Sequence, residues 1–496
     1  MIAGLLLLTG LFAACTLPTL PSPGQQPRTA TPTAAQASVP ATAVDTPTSA
    51  LETSLTPSTT ITTSSTITVT TAMTATTATT GRTLIPTVGP TVAAALTDTT
   101  ALTGTGAVTA SQSALALPPA DEASERLQLP EGFAVRIFAE GLGEPRLMTV
   151  GPDGLLYVAD NGGNRVVRLP DADNDGLADE VQVVAEDLPG VHSVEWFEDW
   201  LYVAEGSQIE RLRDEDGDGT FETRELVTDN IPDPIRHGSR TLHFGPDGKL
   251  YVTAGSSSNN EPESDPRRAA MMRFNPDGSI PDDNPFIADL NDQRHPLWAE
   301  GLRNSVDFLF LADGRLWADH NGSDELGDDL PPEEIVIQIE KGKHYGWPYC
   351  YTPTLGATPP GTTEVHDERV DFDPAILSDC SQATPALFTD LAHQAPLGMT
   401  QYTGSAFPVE YQGNLFVAYH GSWNSTESRD CKVQMIVVRE GMPAESMPFL
   451  TGFRDSQTED CGNAWGRPAG VTVGAKGELF VSDDQNGNVY RVVYEP

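Results

Sequence analysis

Six variants of one short pattern, a tight turn followed by a strand reading roughly G-x-D-G-x-L-Y-V-x-D, recur after residue 150. They occupy Gly151–Asp160, Phe197–Glu205, Gly245–Gly255, Ala312–Asp319, Tyr411–Tyr419 and Gly474–Asp484. A unit this short cannot bury its own apolar face and has to stack on its neighbours, so the repetition dictates architecture before any single residue does. Six such units predict an all-β fold, a six-bladed β-propeller. The alternation Leu-Tyr-Val-x-Asp marks strands with one face in the blade stack, and the D-G and N-G pairs supply hairpin turns. After residue 120 no stretch sustains a helical period beyond short loop segments.

Composition limits how much of the chain the propeller claims. Residues 16–120 are almost wholly Thr, Ala, Pro, Ser and Val, with Arg28 and Arg82 set against Asp45, Glu52 and Asp98. A segment without aromatic or periodic apolar residues cannot offset its chain entropy, so it reads as a disordered Thr/Pro/Ala-rich stalk, open to O-glycosylation. The span 121–496 leaves about 63 residues for each of six blades, room for four strands and their loops. At the other end, residues 1–15 read as a signal segment. Ile2–Ala14 is an apolar run too short to span a membrane, and it ends in Phe12-Ala13-Ala14-Cys15. Small residues before a cysteine resemble a bacterial lipoprotein signal, which makes Cys15 a candidate lipid anchor. No Lys or Arg precedes the run and Phe12 stands three before the cysteine, so an ordinary secretory signal is the alternative. Either way the chain is expected to be exported, as a cell-envelope lipoprotein or a secreted protein.

The net charge of −41 falls almost entirely after residue 120. Such a surface repels phosphate backbones and anionic headgroups, which excludes nucleic acid as a partner and leaves the Cys15 anchor as the one route to a membrane. Cys350, Cys380, Cys431 and Cys461 make an even number in an exported domain and allow three disulfide pairings. The sequential pairing closes two loops of similar length. Neither a Cys/His zinc spacing nor a CxxCH haem attachment occurs in the sequence.

Two turns are strongly acidic: Asp171, Asp173 and Asp175 before Gly176, and Asp214, Asp216 and Asp218 before Gly219, followed by Glu222 and Glu225. Oxygen ligands at alternate positions closed by glycine suit a tight Ca²⁺ loop, and Glu225 stands twelfth, where such a loop places a bidentate carboxylate. The flanks are expected to be strands, so an ion here would be structural; a solvated acidic hairpin is the bland alternative.

Ligands of a propeller bind where loops from several blades converge, so chemistry is expected on loops beside the repeats. Arg236–Asn259, Gly301–Phe308, His420–Val433 and Trp465–Val473 carry His, Arg, Lys and Asn beside glycine, and a fifth loop, His320–Glu334, leads into Lys341–Cys350. Dispersed cations with a histidine and exposed carbonyls suit a planar, polyanionic, metal-chelating ligand, since guanidinium forks pair with carboxylates. A hydrolase working through a channel metal would instead need clustered acidic and amide side chains.

The ordered set G-x-R-N, LGDDLPP, YGWPYC, HGSWN with a downstream lysine, and GRPAGV resembles the glucose/sorbosone dehydrogenases, soluble six-bladed propellers that use pyrroloquinoline quinone with Ca²⁺. The resemblance covers about residues 125–496. It implies a quinoprotein oxidoreductase that oxidises an aldose or related sugar by hydride transfer to the quinone and passes electrons to an external acceptor. It further implies that His237 is the general base and that Arg303 and Asn304 contact the quinone, with Arg303 polarising the carbonyl where charge develops. Lys432 and Arg467 match cofactor-anchoring cations, and Gly322 and Ser323 match the segment whose carbonyls hold the quinone's Ca²⁺. Two positions depart from the pattern: Ser256 stands where some relatives orient the histidine with an Asp, and HNGSD lacks an Arg after its glycine. A non-catalytic propeller lipoprotein binding carbohydrate or protein is the alternative that Ser256 favours.

Overall fold

The computed structural model describes residues 115–288, 293–422 and 424–495. The expected signal segment, Cys15, the stalk up to residue 114 and Trp423 lie outside the described residues. Strands fall into six antiparallel blades in chain order, the propeller that the repeats predict, with a separate two-stranded ladder pairing Cys350–Tyr351 with Val365–His366. Blade 1 is Pro145–Val150, Leu156–Asp160, Arg165–Leu169 and Gln182–Ala185; blade 2 is Ser193–Phe197, Trp200–Ala204, Ile209–Arg213 and Thr223–Thr228. Blade 3 is Leu242–Phe244, Leu250–Ala254, Ala270–Phe274 and Leu297–Glu300. Blade 4 is Phe308–Phe310, Leu316–His320, Glu333–Ile339 and Phe388–Asp390, with Gly356–Ala357 added at its edge. Blade 5 is Pro396–Gln401, Leu415–Tyr419, Lys432–Arg439 and Met442–Leu450. Blade 6 takes Pro468–Val473, Leu479–Asp483 and Asn488–Tyr494 from the C-terminus and its outermost strand, Phe133–Ala139, from the other end of the domain. That pairing completes the sixth blade with a strand from the other end of the domain and so closes the ring.

Each repeat forms the second strand of its blade, and here the expectation of one buried face is corrected. Leu156–Asp160, Leu250–Ala254, Leu316–His320, Leu415–Tyr419 and Leu479–Asp483 are buried at every position. A blade in a closed ring has a neighbour on both sides, so alternate residues pack in opposite directions. Leu156 and Val158 join Phe480 and Val489 of blade 6, whereas Tyr157 and Ala159 join Val194 and Val203 of blade 2. Six apolar clusters fill the six interfaces in this way. Each buried Leu, Val or Tyr contributes roughly 1.5–3 kcal/mol. The turn glycines Gly154, Gly248, Gly314, Gly413 and Gly477 all take positive φ, the conformation that L side chains resist.

Helix is confined to Glu122–Arg126 and three short 3₁₀ turns among the described residues. Ala116 and Pro118, in the compositional stalk, accept hydrogen bonds from Arg491 and Arg136, so the ordered chain starts ahead of residue 121. Disulfides join Cys350 to Cys380 and Cys431 to Cys461, the sequential pairing, each across 30 residues. Closing loops of that length restricts the unfolded chain by about 3–4 kcal/mol each. Among the described residues no helix is long and apolar enough to cross a membrane.

Candidate active site

Antiparallel pairing sorts the loops between the two ends of the channel. The G-x-D-G turns join first to second strands and share one end with the connections from third to fourth strand. Connections from second to third strand, and from one blade to the next, lie at the opposite end. A cavity of about 500 Å³ opens at that opposite end, a size suited to a small ligand. His237 comes from the loop before blade 3, Arg303 and Asn304 from the loop before blade 4, Gly322 from within blade 4, and Arg467 from the loop before blade 6. Five of the residues singled out in the sequence thus line one cavity.

The histidine is held in one tautomer. Ser256 Oγ donates its hydrogen to Ser258 O at 2.7 Å, so toward His237 Nδ1, 2.8 Å away, it accepts. Nδ1 therefore carries the proton and Nε2 keeps its lone pair. Burial, reinforced by the positive charges of Arg303 and Arg236, lowers the pKa of this imidazole to about 3. It is neutral across the physiological range.

Arg303 is 3% exposed. Its Nε donates to Asn259 O at 2.9 Å, and its Nη2 to Asn259 Oδ1 at 2.9 Å and Asp324 Oδ2 at 2.8 Å. Asn259 is the hub of this wall, for its carbonyl also accepts from Trp347 Nε1 at 3.0 Å and its amide bridges both Asp324 N and Asp324 O. The ends of the second strands fix the loop backbones. His320 Nε2 accepts from Arg303 N at 2.9 Å, and Asp483 Oδ1 accepts from Arg467 N at 2.9 Å. The last residue of the second strand thus aims the loop that carries the cation in these two blades.

The other predicted positions divide. Arg467 donates Nε to His420 O at 2.8 Å, and His420 Nε2 in turn meets Asp484 Oδ1 at 2.9 Å. Gly322 N donates to Glu333 Oε2 at 2.8 Å, and Ser323 Oγ donates to Asn259 O at 3.4 Å, beside the cavity. Lys432 is not on the cavity wall; its ammonium lies 5.6 Å from the Tyr419 ring centre. The acidic turns link third and fourth strands and so sit at the far end from the cavity. Asp171, Asp173 and Asp175 converge there, as do Asp214, Asp216 and Asp218 with Glu222, each set offering ligand atoms within 4.8 Å of one another. Glu225, expected as the twelfth ligand, instead pairs with Arg211 across the hairpin, because it lies on the strand facing that residue.

Sequence reasoning did not single out Arg236, Asn259, Asn321 or Glu333. Glu333 had a readable signal, a carboxylate opening the apolar strand Glu333–Ile339; burial raises its pKa to about 7. Asn259 closes the GSSSN run and carried no local signal. As a donor set, the cavity fits an anionic chelating ligand: guanidiniums from two sides, a base of fixed tautomer, and Asn304 Oδ1 buried with no hydrogen-bond partner among the described residues. A ligand N–H or O–H would satisfy that oxygen.

A family model described as TrAA12-like matches residues 127–495. The chain belongs to the TrAA12-like family. An uncharacterised protein of Borreliella burgdorferi is 25% identical to this TrAA12-like chain over 391 residues, 76% of the chain and 93% of the relative. A pyrroloquinoline quinone-dependent pyranose dehydrogenase of Coprinopsis cinerea is 24% identical over 429 residues; the match takes 77% of this chain and 56% of that enzyme, little more than half its length. Among solved structures, the holo pyrroloquinoline quinone domain of the Coprinopsis cinerea pyranose dehydrogenase superposes with a TM-score of 0.61 at 21% identity, over 74% of this chain and 97% of that domain. A Trichoderma reesei enzyme of family AA12 gives 0.62 at 19% identity, over 76% and 100%. The superpositions bear on the fold, and the relatives bear out the resemblance to sugar dehydrogenases carried by the motifs.

Proposed function

We propose that this protein is an exported, pyrroloquinoline quinone-dependent dehydrogenase of an aldose or related sugar, passing electrons to an external acceptor. The observation that carries the reading is His237, fixed by Ser256 with an unprotonated Nε2 in a cavity ringed by Arg303, Asn304 and Arg467. The quinone, when bound with Ca²⁺, supplies the two-electron hydride acceptor that no side chain offers. His237 Nε2 takes the proton of the substrate hydroxyl as the adjacent C–H bond is broken. A pKa near 3 makes a weak base; an anionic ligand against Arg303, the nearer source of that field, moves the imidazole back toward the working range. Arg303, pre-set by Asn259 and Asp324, and Arg467 hold anionic oxygens, and Asn304 Oδ1 accepts from the ligand. Gly322 and Ser323 offer backbone carbonyls to the Ca²⁺, with Glu333 fixing the Gly322 peptide. Lys432, at the start of the third strand of blade 5, adds positive charge at the same end of the channel without lining the cavity. The acidic turns at the far end are assigned structural Ca²⁺, and Cys15 a lipid anchor.

The full chain, titrated with pyrroloquinoline quinone in the presence of Ca²⁺ and followed by absorbance, should bind one equivalent and then reduce a dye with some aldose. Absence of quinone binding would defeat the proposal. Quinone binding without turnover of any sugar would favour the second reading, a binding-only propeller. Ser256 speaks for that reading, since a hydroxyl stabilises the imidazolium less than a carboxylate does.

A further inference from the structure

Three guanidinium groups reach the channel-mouth cavity, and one has no task in the reading above. Arg303 spends its Nε and Nη2 donors on Asn259 and Asp324, and Arg467 is anchored through Nε on the opposite side of the ring, three blades away. Arg236 differs from both. It immediately precedes His237, its side chain is 39% exposed at the rim, and its one hydrogen-bond partner among the described residues is Asp324 Oδ2 at 3.2 Å. That oxygen already accepts from Arg303 Nη2 at 2.8 Å. Glu333, the other carboxylate of the cavity, turns its oxygens to the N–H groups of Gly322 and Ala395. One carboxylate oxygen shared by two guanidiniums leaves most of the Arg236 N–H groups without an acceptor among the described residues, beside the candidate base. On a chain of net charge −41 a guanidinium with unspent donors at a cavity mouth stands out.

We propose that Arg236 binds a carboxylate carried by the substrate, so that the preferred substrate is an acidic sugar, a hexuronate, over the neutral aldose. A planar fork with unspent N–H groups at the mouth matches a carboxylate on the outer end of a sugar whose reacting hydroxyl faces His237. The reaction stays balanced: the O–H proton of the C1 hemiacetal goes to His237, its C–H hydride to the quinone, the hemiacetal becomes a lactone, and the distal carboxylate is unchanged. The reaction part of this inference rests on the dehydrogenase reading; the carboxylate-binding part does not.

Galacturonate and galactose differ only in a carboxylate against a hydroxymethyl group at C6, which makes them the probes. Calorimetric titration of each sugar into the chain with and without quinone and Ca²⁺, together with dye-linked kcat/KM, should favour galacturonate by about ten- to a hundred-fold, the span of one charge-assisted hydrogen-bonded pair. Arg236→Gln should collapse that ratio toward one, and Arg236→Lys should retain part of it. A wild-type ratio at or below one, or a ratio that Arg236→Gln leaves unchanged, overturns the inference. So does an Arg236→Gln chain that loses quinone affinity while keeping its sugar ratio, since the carboxylate read would then be the cofactor's. A chain that binds galacturonate through Arg236 yet neither binds quinone nor turns over sugar defeats the dehydrogenase reading and leaves this one standing.

Discussion

The chemistry turns on where a few hydrogen atoms sit. Ser256 has one hydrogen and gives it to Ser258 O, and this fixes His237 as the Nδ1–H tautomer with Nε2 free. A carboxylate at position 256 would do the same and add stabilisation to the imidazolium, so the serine makes His237 depend more on ligand charge for its basicity. NMR titration of the ligand-free chain should find the His237 ring neutral down to about pH 3, against an ordinary value of 6.5. Loading with quinone should raise that midpoint by at least a unit. A free-chain midpoint near 6.5 would mean that burial and the two arginines do not act on this ring.

At the scale of the element, the second strands of blades 1, 4 and 6 end in a residue whose side chain reaches back to the loop ahead of the same blade. His320 holds Arg303 N and Asp483 holds Arg467 N, so strand and loop cannot shift independently. In blade 3 the hold is steric as well: a Cβ built on Gly255 would lie 2.4 Å from His237 Cβ and 2.9 Å from Asn304 Oδ1. Gly255→Ala should displace His237, lowering kcat at least ten-fold while far-UV circular dichroism still reports the β fold, because the clash is confined to the cavity wall. Wild-type turnover in that variant would place the reacting histidine elsewhere. The six turns and strands were legible because a closed ring imposes the same local demands on every blade. His237, Arg303, Asn304 and Arg467 were legible because each stands next to a repeat. Asn259 and Arg236 were not, since their importance comes from converging on Asp324, a contact between loops of different blades that spacing along the chain does not encode. Glu225 was misread for the converse reason: a twelve-residue count presumes a helix-flanked loop, and here a strand turns the side chain to Arg211.

Across the whole molecule, polar contacts tie the blades together around the channel. His243 of blade 3 lies between Glu195 of blade 2 and Asp307 ahead of blade 4, and Asp307 Oδ2 also accepts from Met399 N of blade 5 at 2.8 Å. Burial opposes charge on this ring, but Glu195 and Asp307 outweigh it and raise its pKa to about 10. Between pH 6.5 and 10 the folded chain thus holds a proton that the unfolded chain has lost, so the stabilisation from His243 is fully present below pH 6.5 and fades as pH rises through 10. Thermal unfolding followed over that window should show Tm falling with pH in the wild type and falling less in His243→Gln; equal slopes would mean that the ring is neutral.

The account as a whole claims that a bound quinone takes hydride while His237 takes the proton. The most direct test mixes the quinone- and Ca²⁺-loaded chain with a sugar substrate, without external acceptor, and follows the quinone absorbance through one turnover in the wild type and in His237→Ala. The account predicts one equivalent of quinone bound in both, with reduction slowed by at least a thousand-fold in the variant, at or above the middle of the range expected for a lost general base. Reduction at the wild-type rate in His237→Ala would contradict it.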